Sequence, residues 1–217
     1  MLYLLISVVL LLHMPRPPSI TLTNKTKALF LRAGGVLRMQ EAKAAGIHPR
    51  TLAALVTDGS LIRVSRGVYQ LADATLSEPD LAVIARKVPR AILCLVWALA
   101  HHRLTTQIPH AIDLAVPRGF KDRKIDHPPV RFYRFGDASL NAGVVRVKID
   151  GREMRVYGAA KTVADCFKFR NKIGRDIAVE ALRNYLRRKE ASVQDLMHFA
   201  RINRVQVVMA PYVESAL

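Results

Sequence analysis

Gly158-Ala-Ala-Lys161-Thr162 has the Gly…Lys-Thr order of a phosphate-binding loop. Such a loop needs a second glycine directly before its lysine, and Ala160 stands there, with no glycine-rich arc upstream. The segment therefore reads as a helix N-terminus. Nucleotidyl transfer would need a Gly-Ser pair followed by two spaced acidic residues for metal ions, and "AIDLAVPRG" supplies only Asp113. His101 and His102 are adjacent, so on a helix they point about 100° apart, whereas ligands sharing a helical face sit three or four residues apart. One is expected to be a core or capping histidine and the other exposed. Cys94 and Cys166 sit in apolar runs and read as buried, reduced thiols, even with Lys168 close to Cys166. These residues predict no enzyme, no cofactor and no metal.

The chemistry left is that of binding. Lys and Arg number 34 against 17 Asp and Glu, a formal net charge of +17 and a pI of about 10.6. That excess favours an anionic partner: nucleic acid, an acidic protein or an anionic membrane surface. The basic side chains gather at two places. In "EAKAAGIHPRTLAALVTDGSLIRVSRGVYQLA", Arg50, Thr51 and Ala54 share one face near a helix start, with His48 beside them, while Leu52, Leu55 and Val56 take the other face. Arg63, Ser65 and Arg66 surround a tight turn, and Arg38 and Lys43 lie just upstream. Arg50 can meet guanine bidentately or hold a phosphate, and the small Thr51 and Ala54 permit close approach to bases. The second place is Lys161, then "KFRNKIGR" with Lys168, Arg170, Lys172 and Arg175. Phe167 and Phe169 lie among these basics, as stacking groups for single-stranded nucleic acid or as core anchors.

The elements that must position these side chains follow from periodicity and punctuation. The apolar content of 51% is enough for a core. Asn24 is placed to cap a helix that ends at Gly34-Gly35; "VLRMQEAKAAG" gives a short strand and a second helix stopped by Gly46. "HPRTLAALVTDG" is a third helix with Pro49 at its first position. "LIRVS" and "GVYQLA" alternate about Arg66-Gly67 as a β-hairpin. Three short helices and a hairpin make a winged helix-turn-helix, with the hairpin as the wing. Beyond "DATLSE" the pattern changes. "SEPDLAVIARKV" and "AILCLVWALAHHRL" read as helices, the latter buried all round. "AIDLAV", "VRFYRF", "VVRVKI" and "MRVYG" read as strands, and helices fill the rest. The fold class is α+β: a winged helix-turn-helix over residues 24–77 and a mixed α/β domain with a small sheet and several helices over 78–217.

The extension 1–23 opens with the apolar "MLYLLISVVLLLH". It is too short for a bilayer, which takes about 20 residues. No Lys or Arg precedes it and no small-residue cleavage site follows. Met14 is the expected initiator, with residues 1–13 an over-extended reading frame; a short membrane anchor is the alternative.

"GGVLRMQEAKAAGIHPRTLAALVTDGSLIRVSRGVYQLAD" resembles the N-terminal domain of the AbiEi family, the antitoxins of type IV toxin–antitoxin systems. The likeness continues through "LAVIARKVPRAILCLVWALAHHRLTTQIPHAIDLAVPRG" and the "KTVADCFKFRNKIG" run, from about residue 28 onward. The resemblance implies a cytoplasmic autorepressor whose winged helix binds inverted repeats in its own promoter as two copies. It also implies a C-terminal antitoxin domain, residues 78–217, that counters a nucleotidyltransferase-like toxin encoded nearby, with no membrane involved. The apolar start and His48, where a smaller capping residue is usual, depart from the family pattern. An RNA-binding or RNA-modification-associated protein using the basic C-terminal helices is the alternative.

Overall fold

The computed structural model describes residues 22–150 and 152–216. The expectations for residues 1–13, and for the lead-in up to residue 21, lie outside the described residues. The chain divides into two compact units between Thr75 and Leu76.

The first unit runs α1 (Asn24–Arg32), β1 (Val36–Arg38), α2 (Met39–Ala44), α3 (Pro49–Thr57), β2 (Leu61–Ser65) and β3 (Val68–Leu71). Thr23, not Asn24, caps α1: its hydroxyl accepts the Thr26 N–H at 3.2 Å. Positive φ at Gly34 and Gly35 turns the chain directly into β1. The strands form an antiparallel sheet in the order β1-β3-β2. Phe30, Leu37, Leu52, Leu55, Leu61 and Leu71 fill the space between sheet and helices. This is the element order of a winged helix, and each element is too short to bury its apolar face alone.

The second unit begins with α4 (Pro79–Lys87), β4 (Ile92–Leu93), α5 (Leu95–His101), β5 (Ile112–Pro117) and β6 (Val130–Phe135). It continues with α6 (Asp137–Asn141), β7 (Val144–Ile149), β8 (Arg152–Tyr157), α7 (Ala159–Lys168) and α8 (Arg170–Ile173). It closes with α9 (Arg175–Leu186), α10 (Val193–Asn203) and α11 (Gln206–Glu214). Five strands form a mixed sheet in the order β6-β5-β4-β8-β7, with β5–β6 and β4–β8 parallel. Ile92, Ala115, Tyr133, Phe135 and Tyr157 pack with α7, α9, α10 and α11. Leu93, Ile112, Leu114, Met154 and Val156 join a second cluster with Leu81 and Ile84 of α4. Alternate residues of one strand thus enter different cores, which is why "AIDLAV" is apolar on both faces.

One expectation is corrected. "AILCLVWALAHHRL" reads as a single buried helix, but Ile92–Leu93 is the middle strand of the sheet and only Leu95–His101 is helical. A short run apolar on all sides has the same signature in a buried strand and a buried helix. Leu95, at φ 47, starts the helix immediately after the strand. Among the described residues no helix is long and apolar enough to cross a membrane.

Candidate nucleic-acid interface

α2 and α3 are joined by residues 45–48, a tight connection in which Gly46 takes φ 85. His48 caps α3 through Nδ1, which accepts the Arg50 N–H at 3.1 Å, so its ring proton lies on Nε2. Pro49 follows at the first helical position. Leu52 and Leu55 are buried and Val56 half-buried, which leaves Arg50 exposed and Thr51 and Ala54 half-exposed. The exposed start of α3 presents the positive end of the helix dipole, its Arg50 and Thr51 N–H groups being taken by the His48 ring and carbonyl. Lys43 is exposed on α2, and half-buried Arg38 precedes that helix, its backbone N–H donating to Glu41 Oε2 at 2.8 Å. Arg63 and Arg66 are exposed on the wing. The wing is fastened to α2 by the Met39 N–H, which donates to the Gly67 carbonyl at 2.9 Å. Ser65 is a correction. A register shift between Arg63 and Ser65 turns its side chain inward; it is 7% exposed and cannot meet a ligand.

The five basic residues singled out in the second unit separate by burial. Lys161 is a second correction: it is fully buried, with Nζ 2.5 Å from Asp165 Oδ1 and 4.0 Å from the centre of the Tyr157 ring. It cannot touch a partner, because α7 is buried from Lys161 to Phe167 among α5, α9 and α10, with Phe135 and Tyr157 of the sheet over the Lys161 ammonium. Asn203 Nδ2 donates to the same Asp165 oxygen at 2.7 Å, and Ser139 Oγ donates to Asn203 Oδ1 at 2.6 Å. Lys168 is half-buried near Ser139 Oγ, and burial lowers its pKa. Arg170 Nη1 donates to the Phe167 carbonyl at 2.8 Å. Lys172 and Arg175 are exposed. Phe167 is fully buried and Phe169 packs edge-on against Tyr133, so both aromatics of "CFKF" anchor the core. Of the five, Lys172 and Arg175 are left outside, and Arg175 shares one groove with the exposed Arg183 of α9 and Arg187 at its end.

Residues 24–72 match the family model of the AbiEi antitoxin transcriptional regulators. The matched segment covers α1 to β3, the whole helix-turn-helix and the wing. The chain is also similar in fold to the crystal structure of the RV2827C protein from Mycobacterium tuberculosis. That likeness covers 94% of this chain and 84% of that one, at a TM-score of 0.51 and 15% identity. No protein of curated function matches the chain. The AbiEi match thus falls on the unit that carries the exposed Lys43, Arg50, Arg63 and Arg66; the second unit lies outside it and has a geometry of its own.

That geometry contains a group with little sequence signal. Asp113, on β5, is 1% exposed; its Oδ2 accepts the Val96 N–H at 3.1 Å and so caps α5 from a neighbouring strand, while Oδ1 has no hydrogen-bond partner among the described residues. Burial raises its pKa to about 6, and burial likewise raises that of nearby Tyr133 to about 12. In the sequence Asp113 stands out only as a lone carboxylate in an apolar strand. The histidine pair divides as its spacing requires: His102 Nε2 lies 2.7 Å from the Tyr157 carbonyl, and His101 is exposed and stacked on Trp97. Both cysteines are buried, and burial pushes both thiols well above their usual pKa.

Proposed function

We propose that the chain is a transcriptional autorepressor and antitoxin. Its winged helix binds promoter DNA with inverted repeats, and its second unit counters a nucleotidyltransferase-like toxin encoded nearby. The observation that carries this reading is the coincidence of the AbiEi match with the exposed helix-turn-helix over residues 24–72. Lys43, Arg50 and Arg63 project there with no carboxylate partner among the described residues. In this reading α3 lies in the major groove, Arg50 and Thr51 meet base edges, and Arg63, Arg66, Arg38 and Lys43 hold phosphates. Two copies on an inverted repeat occlude the promoter. Toxin neutralisation belongs to the second unit, whose exposed Lys172 and Arg175 offer charge to an acidic surface.

The test compares the chain's own promoter with a random duplex by fluorescence anisotropy. Arg50→Ala should cost about 1–3 kcal/mol on the promoter and little on random DNA. Arg66→Ala should weaken both about equally. Equal behaviour of the two variants on the two duplexes would remove α3 as the reader.

A further inference from the structure

The second unit holds a cavity of about 460 Å³ whose lining runs against the charge of the rest of the protein. Its polar wall comes from Glu78 and Asp80 at the start of α4 and from Trp97 and His101 of α5. Its apolar wall comes from Ile112, Ile149 and three prolines, Pro109, Pro128 and Pro129. Trp97 is half-buried, and its ring is held parallel to that of His101, with centroids 5.5 Å apart and planes 14° apart. Glu78 is fixed by its backbone, whose N–H donates to Asp150 Oδ2 at 2.9 Å, while its carboxylate has no partner among the described residues. Asp80 receives His127 Nε2 on one oxygen at 3.1 Å, and its other oxygen has no partner among the described residues. Arg152, in the adjoining cavity beside Glu78, turns one guanidinium nitrogen to the Ala82 carbonyl. The remaining titratable groups facing the space are His101 and His110.

Two carboxylates repel phosphate, so this cavity is not an extension of a nucleic-acid surface. A planar cation satisfies every wall at once. It can lie against the Trp97–His101 ring stack, point its N–H groups at two acceptors, and run its aliphatic stem along proline and isoleucine. We propose that this cavity is a receptor site for a guanidinium group, the side chain of an arginine presented by a partner protein. A lysine ammonium meets the carboxylates as a point charge but has no plane to lay on Trp97.

Trp97 is the only tryptophan in the sequence, so its fluorescence reports this wall alone. Full-length protein is titrated with N-acetyl-arginine amide, with the neutral isostere N-acetyl-citrulline amide, and with N-acetyl-lysine amide. The arginine derivative should give a saturable change with Kd on the order of 1 mM. The citrulline derivative should bind at least tenfold more weakly and the lysine derivative several-fold more weakly. Glu78→Gln and Asp80→Asn should each weaken the arginine derivative about five- to tenfold, with the circular dichroism spectrum unchanged. Should either carboxylate variant disturb folding, Trp97→Phe followed by calorimetry takes its place, and it should weaken binding to a similar degree. A peptide Gly-Arg-Gly should bind at least as well as the single residue, whereas preference for free guanidinium ion would reassign the site to a small metabolite and overturn the partner assignment. Equal titrations by the arginine and citrulline or lysine derivatives, or no saturation, would overturn the guanidinium site itself.

Discussion

Lys161 and Asp165 are a charge pair removed from water on every side, 2.5 Å apart and both fully buried. Burial pushes each toward its uncharged form, and each holds the other charged. Removing one partner strands the other, so Lys161→Met and Asp165→Asn should each cost about 3–5 kcal/mol in urea unfolding. The double variant Lys161→Met with Asp165→Asn removes both charges, keeps an acceptor for Asn203 and should recover most of that loss; additive costs would show that the pair is not coupled. Asp113 gives a pH-dependent counterpart. Its pKa is about 6 in the folded chain against 3.8 in the open one. The unfolded chain therefore releases this proton first. Its contribution is complete below about pH 4 and is lost as pH rises through about 6, on the order of 3 kcal/mol in all. Asp113→Asn keeps an acceptor for the Val96 N–H and removes the titration. Its urea midpoint relative to the natural chain should climb between about pH 4 and pH 7, and a flat difference would refute this role. At this scale the sequence shows residue types but not their depth. The i,i+4 spacing of Lys161 and Asp165 is visible, yet their burial depends on Tyr157 of β8 and Asn203 of α10, which only the folded chain brings beside them.

The helix-turn-helix was legible as a set of elements because its punctuation is local: Gly46, Pro49, Gly59 and Gly67 each sit where the chain turns. β4 was not legible, because two buried apolar residues take their strand identity from pairing with β5 and β8 rather than from their own pattern. The same contrast between local and tertiary control separates two glycines. Gly67, at φ 70 in the wing turn, has open space where a Cβ would sit. Gly67→Ala should therefore cost only the backbone term, about 1 kcal/mol. Gly143, at φ 65 between α6 and β7, would place a Cβ 2.7 Å from Lys161 Cβ and 3.0 Å from Phe199 Cε1. Gly143→Ala adds overpacking against α7 and α10 and should cost about 2–5 kcal/mol. Thermal or urea unfolding of the two variants checks the order; equal losses would mean that the α6–β7 corner yields more freely than its contacts imply.

Each unit of the molecule has its own core, the first around Phe30, Leu52 and Leu55 and the second on both faces of the five-stranded sheet. The net charge of +17 belongs to the whole chain, so DNA affinity should fall steeply with salt; contact with six phosphates gives a slope of log K against log salt on the order of −5. Separate cores make a sharper prediction. A short domain buries a smaller fraction of its surface than a long one and is the less stable for it. The chain should therefore unfold in two steps, the unit ending at Thr75 first. A fragment beginning at Leu76 should keep only the upper transition, near its midpoint in the whole chain. Ligand that binds one folded unit stabilises that unit alone, by about 2.7 kcal/mol at a hundredfold excess over Kd. Promoter duplex should thus raise the lower transition of the whole chain, leave the upper one in place, and have no effect on the fragment. Calorimetry at fixed salt, with promoter and with random duplex, reads all three outcomes. If promoter DNA raises the transition of the Leu76 fragment, the second unit carries part of the DNA-binding surface, and Lys172, Arg175, Arg183 and Arg187 are the side chains to change first.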